Sequence, residues 1–593
     1  MKKYALYLVV ILTVCASIYA YFNLLLPLDV FQWDESHHGF FAMQIFRDLQ
    51  TGDWGSFWEH TNYQALWMPM HSWIVAVFLY IFGFGYTSAR LSSLSLFFIN
   101  SIILYLIGRE LSEEKGWAIG LIAAICYLTS PTMLIFSVLN MQEMLGILMC
   151  LTIVYFMVKN IGLDKEWKFL IIGFLLSAAY WAKQNYAMVL AFGVGLYQLS
   201  LLWDIKKAAI AFGPGNENIM HSKQKPKKPK QNIKQPKGPN RPLVWLLDNI
   251  YILAGFLPFF LLWWITPPFE RKYGLTVTFR QQAVAGGASL IPSFIGTLAF
   301  YVKSLLTSYS LSFWVASGCL ASVIAALFFY HDKKIRLISL MFYANLLFIC
   351  FMSIAQERFV STAAPMIYIL LGYFGLLLFD KTAHFPKIKI FTYVVISIFL
   401  STFAYDLTCL TRYTRETANV SLLTPIYIRN LGSFSPPFLF GLAKRPTFTF
   451  PIEHDKKYPV AKLPYKSSLR DVLNFFRDNI EKTKSISTTI SMNTLSPYVI
   501  YWHFYDWGAP VLSANDLAFN SRYFWAADYF LDLEVSTGSP YYEGPSENRW
   551  AVIEKALLKD GYIKLVASKE FDDLGVTAEI YKREKDILGQ ASH

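Results

Sequence analysis

The chain has 593 residues, of which 55% are hydrophobic and only 16% are charged. Soluble proteins carry about 25% charged residues, so this composition excludes a soluble globular protein and predicts a polytopic membrane protein. The formal net charge is +12, but no aromatic-studded basic fold accompanies it, so we expect no nucleic-acid partner. The six cysteines form no CxxC pair and predict neither a disulfide framework nor a cysteine metal site.

The first apolar segment, residues 4–26, is long enough to span a bilayer as a helix. Lys2 and Lys3 precede it, so the N-terminus is predicted to be cytoplasmic. Asp34 and Glu35 then emerge on the far side, close to the membrane surface. Carboxylates at that depth are costly to desolvate and are candidates for a functional site. The alternatives are a solvated loop or, for Asp34, an N-terminal helix cap.

Positive charge between later apolar segments predicts eleven spans in all and an extracytoplasmic C-terminus. After 4–26, the predicted spans are 87–107, 117–136, 144–158, 169–182, 186–203, 243–266, 311–330, 337–354, 363–379 and 390–408. Residues 69–85 are apolar but short, and we interpret them as an interfacial or re-entrant helix within a first external loop, 27–86.

A basic insert at 204–242 holds ten Lys and Arg residues against Asp204 and Glu217. It is also rich in Pro, Gly, Asn and Gln, which predicts disorder. The positive-inside rule places it in the cytoplasm, either as a solvated loop or as a binding segment for anionic lipid or an acidic partner.

Beyond residue 409 the composition becomes that of a soluble domain. Residues 410–460 are predicted to be a connector, and 461–593 a small extracytoplasmic α/β domain. The predicted helices are Ser467–Ile480 and Asn548–Leu558, and the predicted strands are Ile486–Ile490, Ile563–Ala567 and Thr577–Tyr581. With no nucleophile motif or metal-ligand spacing, this domain is expected to bind the acceptor or to act as a structural lid.

Polar groups from distant parts of the chain are predicted to share the external membrane face. They are Asp34, Glu35, His37, His38, His71, Glu143, Lys183, Lys303, Gln356, Glu357 and Arg358. Basic groups there could hold a lipid-linked phosphate, and a carboxylate could take a proton from an attacking hydroxyl or amine. His37 and His38 are also candidate ligands for zinc or manganese, although adjacent histidines rarely both ligate one ion.

The order of these features resembles the GT-C superfamily, specifically family 39 and the aminoarabinose-transferase-like membrane glycosyltransferases, over about residues 1–410. The matching pieces are Trp33-Asp34-Glu35, the apolar segment at Pro69, Ala89-Arg90-Leu91, Tyr105 to Arg109, Glu143, Ala182-Lys183, Glu357-Arg358-Phe359 and Pro365. The chain departs from the pattern at His37, where Arg is common, at Met68, where Lys is common, and at Glu143, where Asp is usual.

The resemblance implies a mainly α, GT-C-type membrane domain and transfer of a sugar from a polyprenyl phosphate to an extracytoplasmic lipid, glycan or protein. By position, Asp34 would be the general base, with Glu35 beside it. Glu143 would place the acceptor or stabilise positive charge on the sugar ring, and Lys183 and Arg358 would bind the donor phosphate. His37, His38 and His71 would make polar contacts in the same site. A divalent metal is left open, and the expected location is the plasma (inner) membrane.

Simpler roles compete with several of these assignments. Glu143 could be a loop charge, Lys183 could snorkel from a helix end, and Arg358 could only shape its loop. For the whole chain, the alternatives are a transporter or flippase of a lipid-linked saccharide and a non-catalytic envelope-assembly subunit. A transporter would show ionisable groups near the bilayer midplane and an internal repeat, whereas the candidate residues here lie at segment ends.

Overall fold

The computed structural model describes most of the helical part and the centre of the C-terminal domain. The described residues are 2–26, 30–31, 33–64, 67–161, 167–211, 241–266, 290–307, 309–310, 313–329, 331–350, 357–383, 397, 469–482, 484–488, 497–504, 511–513, 525–536, 549–572 and 574–585. The predicted connector 410–460, almost all of the predicted span 390–408 and residues 212–240 of the basic insert lie outside them.

Helices make up the described chain up to residue 383. They are α1 (Ala5–Ala20), α2 (Trp33–Thr51), α3 (Trp54–Tyr63), α4 (Met70–Phe82), α5 (Tyr86–Leu111), α6 (Gly116–Leu128), α7 (Pro131–Ser137), α8 (Glu143–Lys159), α9 (Trp167–Ala182), α10 (Gln184–Ala211), α11 (Arg241–Ile265), α12 (Leu290–Thr307), α13 (Phe313–Ala326), α14 (Lys333–Cys350) and α15 (Ala364–Ala383). A π-helical turn, Tyr21–Leu25, extends α1, and a 3-10 turn, Glu357–Val360, precedes α15.

Each predicted span up to residue 379 is helical over most of its described residues. Among the described residues, five helical stretches are long and apolar enough to cross a membrane, and they are Ala5–Leu25, Tyr86–Leu111, Gln184–Lys206, Pro242–Ile265 and Ala364–Thr382. α6 and α7 together make a sixth candidate, bent by 69° where Pro131 begins α7 and removes a backbone donor. The predicted mainly helical, polytopic membrane fold is confirmed.

Small residues allow some of these helices to pack closely. A Cβ on Gly173 of α9 would lie 2.0 Å from the Ile252 carbonyl oxygen of α11, and one on Gly255 would lie 2.0 Å from the Leu170 carbonyl oxygen. Helices in lipid gain little from hydrophobic burial against each other, so such close backbone contact is a main source of their association.

Charged side chains join several helix ends at one end of the helical domain. The contacts run from Lys2 to the Glu113 carbonyl, from Lys115 to Asp380, from Lys334 to the Glu110 carbonyl and from Arg336 to Asp204. We call these residues the basic belt. The belt brings together helix ends that the sequence assigns to the cytoplasm, as the predicted threading requires.

Helices α2, α3 and α4 fill most of the first predicted external loop. α4 buries His71, Ser72, Val75, Ala76 and Leu79 against its neighbours α2 and α5. Its 13 residues span about 20 Å, short of the roughly 30 Å hydrocarbon core. This length is compatible with the predicted interfacial helix, which stays a prediction.

The C-terminal domain contains a five-stranded sheet, so the predicted α/β class is confirmed. Its described elements are α16 (Leu469–Asp478), β1 (Ile486–Thr488), α17 (Pro497–His503), β2 (Val511–Ser513), β3 (Tyr529–Val535), α18 (Arg549–Lys559), β4 (Ile563–Phe571) and β5 (Val576–Arg583). The strand order is β2-β1-β3-β5-β4, with β1 parallel to both neighbours and β5 antiparallel to β3 and β4. The sequence did not predict α17, β2 or the central strand β3.

This domain and the external-loop helices share one hydrophobic core. Trp502 of α17, 1% exposed, packs on Phe31 and Phe84 with ring-centroid distances of 4.7 and 4.4 Å. A Cβ on Gly39 would lie 2.5 Å from the Phe31 ring, so glycine there lets α2 approach this aromatic group. The C-terminal domain is therefore held directly against α2, the helix that begins with the acidic pair.

Candidate active site

An ion pair between Glu143 and Lys183 lies at the end of the helical domain remote from the basic belt. Glu143 is the first residue of α8, and Lys183 occupies the break between α9 and α10. Lys183 Nζ donates to Glu143 Oε1 at 2.9 Å, and the two side chains are 15% and 1% exposed. Glu143 Oε2 has no hydrogen-bond partner among the described residues. One buried carboxylate oxygen thus remains for a ligand.

Two buried histidines lie beside this pair. The rings of His38 in α2 and His71 in α4 are 5.0 Å apart between centroids. Burial lowers the pKa of His71 from 6.5 to about 4, with the Glu143 charge acting in the opposite direction. Burial, followed by the charges of His71 and Lys183, also lowers the pKa of His38 well below its usual value. Both rings are therefore uncharged near neutral pH.

Arg358 supplies a second cation to the same place. It lies in the 3-10 turn before α15, and its charge acts on both Glu143 and His38. The Arg358 guanidinium and Lys183 Nζ lie 5.6 and 5.9 Å from the centre of the Phe359 ring. Two cations around one carboxylate leave a surplus of positive charge, which suits an anionic ligand such as phosphate.

We call His38, His71, Glu143, Lys183 and Arg358 the site cluster. Its members come from α2, α4, α8, the α9–α10 break and the turn before α15. The structure thus brings together five of the residues that the sequence selected from distant segments.

Glu35 lies in a separate, saturated ion pair. Its Oε1 and Oε2 accept from Arg90 Nε and Nη2, both at 3.1 Å, and Oε1 also accepts from the Asn140 backbone N–H at 2.8 Å. Both side chains of the ion pair are 1% exposed. Arg90 also donates to the Val30 carbonyl at 3.0 Å. This network ties the start of α2 to α5 and to the loop before α8.

Asp34 lies in the first turn of α2, one residue before Glu35. The structure does not describe its side chain, nor those of Lys303, Gln356 and Glu357. The predicted general base is therefore located only by its backbone, on the helix that carries Glu35, His37 and His38.

His37 lies between aromatic rings from two parts of the chain. Its ring centroid is 5.2 Å from Trp67 and 4.0 Å from Tyr498 of α17. The C-terminal domain therefore contributes a side chain next to α2.

A metal centre is not assembled by the site cluster. Among the described residues, the group of three possible ligands with mutually close atoms is Asp532, Glu554 and Glu579, on the C-terminal sheet and α18. The Tyr581 hydroxyl lies within hydrogen-bond distance of both Glu554 and Glu579 and donates its one hydrogen to either of them, so two of these acids already have a protein partner.

Sequence reasoning did not assign site roles to Arg90, Asn140, Trp67 or Tyr498. Arg90 could have been selected from the sequence, because it is a lone cation near the start of an apolar span, where a charge needs a partner. Asn140 donates through its backbone, which no side-chain pattern reports, and Tyr498 lies in a segment without predicted structure.

The helical membrane domain, with acids and cations gathered at one end and a small α/β domain packed against it, has the arrangement that the GT-C resemblance predicted. The predicted GT-C fold is confirmed by comparison with known proteins. A profile of the dolichyl-phosphate-mannose-protein mannosyltransferase family matches residues 65–210. No curated protein sequence matches the chain.

The fold is similar to that of ArnT from Cupriavidus metallidurans, solved both bound to undecaprenyl phosphate and in the apo state. Each match has a TM-score of 0.54 and 12% sequence identity, and it covers 96% of this chain and 97% of the other. The archaeal oligosaccharyltransferase AglB from Archaeoglobus fulgidus, in complex with an inhibitory peptide and a dolichol-phosphate, is matched with a TM-score of 0.43 and 11% identity over 96% of this chain and 80% of that chain. The fold is thus similar to that of ArnT over nearly the whole length of both chains.

Proposed function

We propose that this chain is an integral-membrane glycosyltransferase that moves a sugar from a polyprenyl-phosphate-linked donor to an extracytoplasmic acceptor. The observation that carries the proposal is the site cluster, in which Lys183 and Arg358 converge on Glu143 at one end of a GT-C fold. The likeness to an undecaprenyl-phosphate-bound ArnT and the mannosyltransferase profile match support the same class of donor.

The donor phosphate would bind between Lys183 and Arg358. Arg358 can grip phosphate with two parallel N–H bonds, and Lys183 can add a point charge. The ion pair with Glu143 holds Lys183 in place. The basic groups lie where helices end, which is the depth at which a polyprenyl phosphate presents its oxygens.

In the proposed reaction, Asp34 takes the proton from the acceptor hydroxyl or amine. The freed electron pair forms a bond to the anomeric carbon while the bond from that carbon to the phosphate oxygen breaks, and polyprenyl phosphate leaves with that electron pair. Attack from the face opposite the phosphate would invert the anomeric centre. Glu143 Oε2 would orient the acceptor or stabilise positive charge on the ring.

Glu35 would act as a positioning residue rather than as a second base. Its two oxygens already accept hydrogen bonds from Arg90 and the Asn140 backbone, so neither is directed at an acceptor hydroxyl. Through this network it would fix the direction of the first turn of α2 and hence of Asp34.

The best test begins with the wild-type protein. Purified protein in lipid nanodiscs should bind undecaprenyl phosphate, and absence of binding would refute the donor class. Mass spectrometry of cell-envelope glycans, lipids and proteins, with and without the gene, should show a mass difference that names both sugar and acceptor. A transported saccharide would instead accumulate unchanged on its lipid.

The proposed orientation has the N-terminus in the cytoplasm of a plasma (inner) membrane protein and the C-terminal domain outside. A cysteine placed at Ser467 should react with a membrane-impermeant reagent in intact cells, and one placed at Ser222 should react only after permeabilisation. Labelling of the wild-type protein gives the background from the six native cysteines. The reverse pattern would overturn the orientation and the extracytoplasmic site.

A further inference from the structure

Four buried polar atoms of the site cluster have no close hydrogen-bond partner among the described residues. They are Nδ1 of His38, Oε2 of Glu143, and Nδ1 and Nε2 of His71, one of which interacts weakly with the Met141 backbone. His38 is 2% exposed, and His71 and Glu143 are fully buried. Native proteins leave few buried polar atoms unpaired. Four such atoms on three neighbouring side chains therefore mark a place where a ligand completes the pairing.

The two imidazoles differ in kind from the cations beside them. Because burial holds both rings in the uncharged form, each offers one N–H donor and one nitrogen acceptor. A hydroxyl group has the same pair of properties. A phosphate group offers mainly acceptor oxygens and negative charge, which Lys183 and Arg358 match better.

A metal ion is the other ligand that two imidazoles and a carboxylate commonly bind, at nitrogen and oxygen distances near 2.0–2.2 Å. Such a site needs all its ligand atoms close to one point. The atoms of His38, His71 and Glu143 do not form a group within 4.8 Å of one another, whereas three acids of the C-terminal domain do. The geometry in the described part of the chain thus favours separate hydrogen bonds over shared coordination.

We infer that His38 and His71 are specificity-determining residues that hydrogen-bond the hydroxyl groups of the transferred sugar, beside the Glu143 carboxylate. This inference rests on the proposed function, because the sugar reaches the site on its lipid phosphate. The cations then hold the phosphate, and the uncharged rings select among sugars by the placement of their hydroxyl groups.

The test separates phosphate binding from sugar binding. Full-length protein in nanodiscs is titrated with undecaprenyl phosphate alone and with a panel of undecaprenyl-phosphate-linked hexoses and pentoses. The contribution of the sugar is the dissociation constant for undecaprenyl phosphate alone divided by the constant for the sugar-linked form that binds most tightly. We expect His71→Phe and His38→Phe to reduce this ratio about tenfold each, the effect of one or two lost hydrogen bonds. His71→Asn keeps one donor and one acceptor and should recover part of the loss.

Binding of undecaprenyl phosphate alone serves as the folding control, and it should change by less than about twofold in the histidine variants, whose phosphate-binding cations remain. His331→Phe, at an exposed position before α14, is the matched control and should alter neither constant. An unchanged sugar contribution in both His→Phe variants would overturn the inference while leaving the proposed function intact. Loss of undecaprenyl phosphate binding by the wild-type protein would refute the proposed function itself.

Elemental analysis of the same samples covers the metal alternative. We expect the His71→Phe variant to contain as much zinc and manganese as the wild-type protein. One equivalent of metal lost with either histidine would overturn the hydroxyl-binding role in favour of coordination.

Discussion

Two buried ion pairs near the start of α2 differ in how completely their acids are satisfied. Glu35 accepts from Arg90 through both carboxylate oxygens and from the Asn140 backbone. Glu143 accepts from Lys183 through Oε1, while Oε2 has no partner within the described residues. A saturated pair has nothing left to offer a substrate, whereas an unsaturated one does. Burial and charge alone would have ranked these two acids as equals.

In the proposed mechanism the proton is taken by Asp34, the neighbour of the saturated Glu35, and the largest predicted effect tests this assignment. Asp34→Asn should reduce sugar transfer about 10²–10⁴-fold, because it removes the proposed general base with little change of shape. Expression, thermal stability and undecaprenyl phosphate binding should stay at wild-type values. Transfer would be measured with the donor identified by the envelope mass spectrometry. Near-normal turnover would show that the base is another residue.

Breaking the saturated pair should instead act mainly on stability. Arg90→Gln leaves the buried Glu35 charge unpaired, and such changes typically cost about 3–5 kcal/mol. Thermal unfolding followed by tryptophan fluorescence should show a large drop in Tm. Glu35→Gln keeps the shape and should be milder.

The Glu35→Gln variant also gives the outcome that would contradict this prediction. If Glu35→Gln unfolded at the wild-type temperature yet lost all transfer activity, then Glu35 would act in the chemistry and the distinction between the two ion pairs would fail. A double-mutant cycle of Glu35→Gln with Arg90→Gln should also give a strong coupling, since the two side chains are in contact.

Changes at the cations of the site cluster should act on donor binding. Arg358→Ala is expected to raise the dissociation constant for undecaprenyl phosphate about tenfold or more, because each charge-assisted hydrogen bond is worth roughly 1.5–3 kcal/mol. Arg358→Lys should recover only part of this loss, since lysine lacks the two-pronged geometry. Lys381→Ala, in the last turn of α15, is the matched control. A lower Tm with an unchanged constant would mean that Arg358 only shapes its turn.

The smallest predicted effect is a dependence of stability on pH. The pKa of His71 is lowered from 6.5 to about 4 in the folded chain, and that of His38 is lowered too. Between pH 6.5 and 4 these histidines are protonated in the unfolded chain but stay neutral in the folded chain. The free energy of unfolding should therefore fall as the pH falls through this range. Above pH 6.5 these rings should contribute no pH dependence.

The measurement is Tm against pH for the wild type, His71→Gln and the exposed control His331→Gln. The His71→Gln profile should be flatter than the other two below pH 6.5. Parallel profiles for all three proteins would mean that His71 titrates normally and is not held uncharged by burial.

Much of this protein follows from its sequence, because the determining signals are local. Runs of apolar residues indicate membrane spans, and most described residues of the predicted spans up to 379 are helical. The amphipathic pattern of Leu469–Asp478 and the alternation in Val576–Arg583 report their own helix and strand. The central strand β3, Tyr529–Val535, was missed because it is buried along most of its length and so lacks a clear alternation.

Only the tertiary structure determined which charged and polar groups pair with each other. Glu35 and Arg90 are 55 residues apart, and Glu35 and Asn140 are 105 apart, so no local pattern could show that Glu35 is saturated. The same holds for Trp502 of the C-terminal domain, whose contact with Phe31 depends on the space left by Gly39. A residue's type states what bonds it can make, but the partners that satisfy those bonds are set by long-range packing. That difference is the basis for our proposal that Glu35 positions α2 and that Glu143 contacts the substrate.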